Sequence, residues 1–192
     1  MLSYNESLKI LRETEALLEG HFVLSSGLHS TQYVQCAKLL SDPKVAKIIC
    51  SSLKEKINLS FERIDMVLSP ALGGVVVGYE VARQLKCKNI FAERKVGKLI
   101  LRRGFEIAKN ANVLIVEDVI TTGKSAMECE EIIKLNKANL VGYACIIDRS
   151  DDLCLIKKKI VSQVKLKIET FKESNIPDKV KKIPAIKPGS RN

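Results

Sequence analysis

The feature that most limits how this chain can fold is an alternation of short, continuously apolar runs with amphipathic stretches. Ile64–Ser69, Asn89–Glu93, Asn112–Glu117 and Leu140–Asp148 place apolar residues side by side, as strands buried on both faces do. Helical patterns over Gly73–Lys86 and about Gly123–Asn136 separate them. Such an alternation predicts a doubly wound α/β core, with a mostly parallel sheet covered on both sides.

The N-terminal part is organised differently. Ser3-x-x-Glu6 is a capping-box pattern, followed by Leu8, Leu11, Leu17 and Leu18. It predicts an amphipathic helix ending at Gly20. Two extended pieces follow, near Phe22–Ser25 and Gln32–Cys36, joined by a turn at Gly27. Asp42-Pro43 then opens a second helix, with Asp as cap and Pro in the first turn. Its apolar face is Val45, Ile48, Ile49, Leu53 and Ile57. The last part of the chain holds three of the five prolines and one predicted strand, Val164–Ile168.

Composition excludes several classes. Apolar residues make up 46% of the 192 residues, enough for a core, and no apolar run is long enough to span a bilayer. The N-terminus has no basic stretch followed by an apolar one, so a cytoplasmic location is expected. None of the six cysteines forms a CxxC, and His21 and His29 lie near no cysteine pair. They read as buried apolar residues in a reducing compartment, with no zinc site. The net charge of +10 is local: Lys157–Asn192 carries eleven basic residues against three acids, while the remaining 156 residues amount to only +2. A solvated face fits this block better than a nucleic-acid site, so nucleic acid is not the expected partner.

The chemistry concentrates in Val113-Leu-Ile-Val-Glu-Asp-Val-Ile-Thr-Thr-Gly-Lys-Ser125. A buried strand ends in Glu117 and Asp118, and a loop of Thr121, Thr122, Gly123, Lys124 and Ser125 enters a helix. Ligands of doubly wound sheets sit at the carboxyl ends of strands. The hydroxyls and unpaired amides at a helix start suit a phosphate. Gly-Lys-Ser is not a P-loop, because that motif needs glycine where Asp118 stands. Adjacent carboxylates would repel a polyphosphate but can accept hydrogen bonds from a vicinal diol. Phosphate beside diol describes a ribose 5-phosphate; the competing reading has the acids capping the next turn.

This run resembles the phosphoribosyl-pyrophosphate motif of type I phosphoribosyltransferases. The resemblance implies that Glu117 and Asp118 hold the ribose hydroxyls and that 121–125 bind the 5-phosphate. Other segments resemble the orotate phosphoribosyltransferases in particular. Phe22-Val-Leu-Ser-Ser-Gly-Leu-His-Ser30 with Gln32–Gln35 is similar to their N-terminal hood, and Ser69-Pro-Ala-Leu-Gly-Gly74 to their pyrophosphate loop. Arg94-Lys95-x-x-Lys98 resembles the start of their mobile catalytic loop, and Ile147-Asp148-Arg149 the strand end that meets the orotate carboxylate. The resemblance covers roughly residues 4 to 150. The expected division is helix and hood over 1–38, a phosphoribosyltransferase core over 39–156, and a basic extension over 157–192 that the resemblance does not reach. The resemblance also implies a homodimer, with the mobile loop reaching toward the neighbour's site.

Each implied role has a physical case and a plainer rival. Arg149 could grip a carboxylate bidentately, or pair with a surface acid. Gly73 and Gly74 could let the backbone approach an anion, or simply make a tight turn. Tyr33 and Ser25 could line the base pocket, or Tyr33 could belong to the core. Arg94–Gly104 holds five basic residues and no acid. As a flexible loop hinged at Gly97 and Gly104, it could close over the departing pyrophosphate and stabilise its charge. Lys98, Arg94 and Asp118 are the expected catalytic residues, with Lys95 binding substrate. Mg²⁺ would be held through the substrate rather than by side chains. Ser25, Val34, Gly73 and Ile100 stand where many relatives carry Lys, an aromatic, Lys and His, so Lys98 bears more of the catalytic role. The expected activity uses phosphoribosyl pyrophosphate and orotate. Rivals are transfer to a purine or another base, and a nucleic-acid-binding sensor of the same donor.

Overall fold

The structure, a computed structural model, describes residues 1–24 and 26–188. The capping box forms: Ser3 Oγ accepts from the Glu6 amide at 3.2 Å, and the Glu6 carboxylate accepts from the Ser3 amide at 2.7 Å. The helix it starts, α1 (Tyr4–Glu13), stops well before Gly20. Glu15 turns into positive φ, and Leu17 enters strand β1 (Leu17–Val23), so Gly20 is a strand residue and not a cap. β1 pairs antiparallel with β2 (His29–Val34). A short helix, α2 (Cys36–Leu40), follows, too brief to show a period in the sequence. In α3 (Pro43–Ser60), Asp42 caps as expected, accepting from the Lys44 amide at 2.8 Å. The buried face of α3 is Ala46, Ile49, Cys50, Leu53 and Ile57; Ile48, expected on it, is half exposed.

The core then runs β3 (Met66–Pro70), α4 (Gly73–Leu85), β4 (Lys88–Lys95), β5 (Lys98–Leu101), β6 (Asn112–Ile120), α5 (Lys124–Leu135), β7 (Asn139–Asp148) and β8 (Ile160–Lys165). The six-stranded sheet has the order β5-β4-β3-β6-β7-β8, parallel except for β5. The chain leaves β3 toward one edge and β6 toward the other, which opens a crevice at their carboxyl ends. Side chains alternate across β6. Leu114 and Val116 join a core with Ile49, Leu53, Val67 and Val77, under α3 and α4. Val113 and Ile115 join a second core with Leu68, Ile133 and Tyr143, under α5. Each fully buried Leu or Ile contributes about 1.5–3 kcal/mol, so both faces anchor this strand.

The basic tail is built into the molecule. β8 is the edge strand beside β7, four residues earlier than the strand expected at Val164–Ile168. β9 (Thr170–Phe171) adds a third strand to the β1–β2 hood, and α6 (Asp178–Lys181) follows it. The Val23 amide donates to Ile186 O and the Ile186 amide to His21 O, both at 2.8 Å. His21 Nδ1 lies 3.0 Å from Ile183 O, to which it donates, and His21 Nε2 lies 2.7 Å from His29 Nδ1. Val161, Val164, Leu166, Ile176 and Val180 turn inward while the lysines between them face solvent. All six cysteines are free and five are buried; burial pushes the Cys50 thiol up to about 12. No helix among the described residues is long and apolar enough to cross a membrane.

Candidate active site

β6 delivers the acids and then the loop. Its pairing with β7 continues through Ile120, beyond the end expected at Glu117. Thr121 and Thr122 stand exposed, and Gly123 turns the chain at φ +75°, a left-handed conformation that favours glycine. A Cβ on Gly123 would meet Ile156 at 2.8 Å and Cys154 Sγ at 3.3 Å. The Leu155 amide donates to Thr122 O at 2.9 Å, so the segment after β7 braces this turn. The first helical bond runs from the Met127 amide to Gly123 O at 2.9 Å. Amides ahead of it lie outside the helix ladder, at the positive end of α5. The side chains of Lys124 (exposed) and Ser125 (half buried) flank this helix start.

Glu117 and Asp118 are neighbours on one strand and therefore point to opposite faces. Asp118 faces α4: a Cβ on Gly73 would lie 2.8 Å from both carboxylate oxygens. Only a residue without a side chain lets the start of α4 come this close, which explains glycine at 73. Gly74 is packed too, its Cβ position being 3.1 Å from Pro70 and 3.2 Å from Val116 O. The start of α4 and Asp118 thus form one continuous surface. Burial, with the charge of Asp118 adding to it, pushes Glu117 up to about 8. Burial also raises Asp118, against hydrogen bonds from the backbone. Among the described residues neither carboxylate is in an ion pair.

Arg149 follows the last residue of β7, and its amide donates to Ile120 O at 2.8 Å, tying it beside the end of β6. Its side chain is not paired with Asp148. That carboxylate accepts from the Ser150 amide at 2.8 Å and faces Lys165 at 3.6 Å. Arg149 Nε is buried without a partner, and burial lowers its pKa. A buried donor left unpaired costs free energy and calls for an acceptor. Tyr33, in the hood, packs on Phe22 with ring centroids 5.8 Å apart. Ser25 lies outside the described residues.

The basic stretch is an ordered hairpin rather than an open loop. β4 and β5 pair with Arg94 opposite Leu99 and Lys95 opposite Lys98, across a two-residue turn at Val96 and Gly97, both at positive φ. Acids outside the stretch answer its charges: Arg94 pairs with Glu128 and Arg103 with Glu93, the latter at 2.9 Å. Ala92 is level with Pro70, the last residue of β3. Lys95 therefore projects roughly 10 Å past that strand, on the side where the acids and the loop lie.

Glu117, Asp118, Gly73, Gly74, residues 121–125 and Arg149 come together at the carboxyl ends of β3, β6 and β7. Arg94, Lys95 and Lys98 stand on the edge hairpin, and Tyr33 on the hood. Sequence reasoning missed Cys154 and Ile156, whose contact with Gly123 is made only in three dimensions. It also missed Glu128, which reads as an ordinary acid on an amphipathic helix.

Comparison with known proteins agrees with this arrangement. The phosphoribosyl transferase domain family matches residues 37–181. The chain is 47% identical over 184 residues to an orotate phosphoribosyltransferase of Caldicellulosiruptor bescii, covering 96% of each chain. It is 46% identical over 187 residues to the enzyme of the same name from Methylorubrum extorquens, covering 97% of this chain and 95% of that one. Among solved structures, orotate phosphoribosyltransferase from Aeropyrum pernix superposes with a TM-score of 0.71 at 25% identity, over 83% of this chain and 93% of that one. With its crevice lined by paired acids, a hydroxyl-rich turn and an unpaired arginine, the chain belongs to the phosphoribosyltransferase family, among the orotate phosphoribosyltransferases.

Proposed function

We propose that this protein transfers the ribosyl 5-phosphate group of phosphoribosyl pyrophosphate to orotate, giving orotidine 5′-monophosphate and pyrophosphate, a step of pyrimidine nucleotide synthesis. The observation that carries the choice of base is Arg149, a partly buried guanidinium whose Nε has no partner. Orotate brings a carboxylate that satisfies it; a purine brings none. The curated relatives at 46–47% identity carry the same name for their activity. The nucleic-acid-sensing alternative needs an available tail, and the tail forms strands of both sheets.

In this reading residues 121–125 seat the 5-phosphate, and Glu117 and Asp118 accept from the ribose hydroxyls. The backbone at Gly73 and Gly74 lies along the pyrophosphate, and Lys95 binds it as well. Breaking the C1′–O bond leaves positive charge on the ribosyl carbon and negative charge on the pyrophosphate. Lys98 and Arg94 stabilise the leaving group from the hairpin, and Asp118 the ribosyl cation. Tyr33 borders the base. The donor set fits Mg²⁺: Glu117 and Asp118, two carboxylates without ion-pair partners among the described residues, adjoin the crevice. An ion here would take most of its oxygens from the substrate and water, as Mg²⁺ does. Bound there, it would neutralise part of the pyrophosphate charge.

A homodimer accompanies this reading. Leu72, Val76 and Tyr79 form an apolar stripe along α4, 85%, 50% and 63% exposed, which a second copy would cover; the sedimentation coefficient decides it. Six free thiols fit a reducing, cytoplasmic setting.

The test is turnover. Incubated with orotate, phosphoribosyl pyrophosphate and Mg²⁺, the protein should deplete orotate absorbance, while adenine, guanine, hypoxanthine and uracil in parallel remain unchanged. Arg149→Ala should raise KM for orotate roughly 100-fold and leave donor affinity within about threefold. No depletion at micromolar enzyme would end the proposal.

A further inference from the structure

Arg149 stands one residue past the end of β7, where the sheet alone no longer dictates the backbone. Two backbone bonds flank it: its own amide donates to Ile120 O, and the Leu166 amide, just past β8, donates to Asp148 O, both at 2.8 Å. A third bond comes from a side chain, the Ser150 amide donating to Asp148 Oδ1 at 2.8 Å. It closes a three-residue turn with Arg149 at its centre, the turn an aspartate makes by reaching its own backbone two residues on. Asp148 Oδ2 lies 3.6 Å from the Nζ of Lys165, which is level with Asp148 on β8. Asp148 is 4% exposed. A buried carboxylate beside an arginine would ordinarily take the guanidinium as its partner, because charge-assisted bonds are the strong ones. Here both oxygens are directed elsewhere, and Arg149 Nε stays buried without a partner.

We infer that Asp148 is a positioning residue for Arg149. Its turn sets the direction in which the arginine leaves the strand end, and Lys165 draws the second carboxylate oxygen away from the guanidinium. The arginine then meets the crevice uncommitted, open to the carboxylate of a base. The inference rests on the function proposed above, and neither Asp148 nor Lys165 needs to touch substrate. A buried acid that only stabilised the strand end would not distinguish base from donor. One that aims Arg149 acts on the base alone.

The test compares Asp148→Ala, Asp148→Asn and Lys165→Met with the parent, each also combined with Arg149→Ala. Asparagine keeps an oxygen for the Ser150 amide; alanine does not. Asp148→Ala should lower kcat/KM for orotate about 20-fold and leave KM for phosphoribosyl pyrophosphate within about twofold. Asp148→Asn should stay within about threefold of the parent on both substrates. Lys165 is 68% exposed, so Lys165→Met tests the same idea even if Asp148→Ala does not fold. It should lose roughly fivefold on orotate alone, because the released carboxylate competes for Arg149. With Arg149→Ala each change should cost less than about twofold, because the residue it places is gone. Equal losses on base and donor would overturn the assignment, as would losses that persist without Arg149. The Nε–Hε resonance of Arg149, identified by its absence in Arg149→Ala, reads the same placement without turnover. It should move in Asp148→Ala and return in Asp148→Asn; a resonance that does not move overturns the inference. A parent protein inactive on orotate would sink the function instead, and the resonance would still decide whether Asp148 places the arginine.

Discussion

The hydroxyl-rich turn at residues 121–125 follows a strand whose residues Val113 to Val116 have no solvent exposure, whereas the Lys95–Lys98 rung lies at the tip of the edge hairpin. Both regions present polar or positive groups on the same side of the sheet, yet one is fixed by two cores, while the other extends past Leu99, the buried residue that anchors its hairpin, with charged contacts beside it. Groups that must recognise the substrate before and after reaction belong on a rigid base. A cation that serves the leaving group belongs on an element that can shift to admit the donor and release pyrophosphate. Damage to the loop should therefore appear in affinity, and damage to the hairpin in rate.

The sharpest way to break this contrast is Lys98→Ala. It should lower kcat about 100-fold or more, leave KM for phosphoribosyl pyrophosphate within about threefold, and leave the melting temperature in place. Equal losses in kcat and donor affinity would mean that the hairpin binds the ground state like the loop. A smaller effect, on the other region, is expected from Gly73→Ala. The added methyl would sit 2.8 Å from both Asp118 oxygens and force that carboxylate aside. KM for the donor should rise roughly tenfold with kcat falling less, as steady-state kinetics can measure.

The mildest test uses pH. Burial raises Glu117 from its ordinary value to about 8, so the folded protein holds a proton there that the unfolded chain has released. Stability from this group is fully present below about pH 4.5 and declines as pH rises toward 8. Without ligand, the denaturant midpoint should fall across this window, and Glu117→Gln should flatten the fall. Donor affinity should move oppositely, strengthening as the carboxylate ionises. An unchanged slope in Glu117→Gln would show that the group titrates normally and is better solvated than its surroundings suggest.

What could be read beforehand follows the same division. The parallel core was legible because Val113–Val116 and Met66–Leu68 are apolar without interruption, and Asp42-Pro43 marks a helix start by local chemistry alone. The acids and the hydroxyl turn were legible because they are contiguous in sequence. What could not be read depends on distant partners. Gly20 resembled a helix cap, but it lies inside β1, at the bulge where the pairing with β2 shifts. Arg94–Gly104 resembled a bare basic loop because Glu93 precedes it and Glu128 lies a whole strand and turn away. The unpaired state of Arg149 was invisible for the converse reason: the sequence places Asp148 beside it, and only the fold sends that acid to Ser150 and Lys165.

The strands that close both sheets, β8 and β9, come after every residue assigned to the crevice. A ribosome making this protein from its first residue therefore releases the whole catalytic constellation before it is enclosed. Until Lys165 emerges, β7 presents an open edge, and until Phe171 and Ile186 follow, the hood has neither its third strand nor its anchor. The enclosure depends on segments made after residue 160, so a nascent chain arrested near residue 150 would hold the crevice residues without it. That unfinished edge is also where a second nascent chain could pair in error.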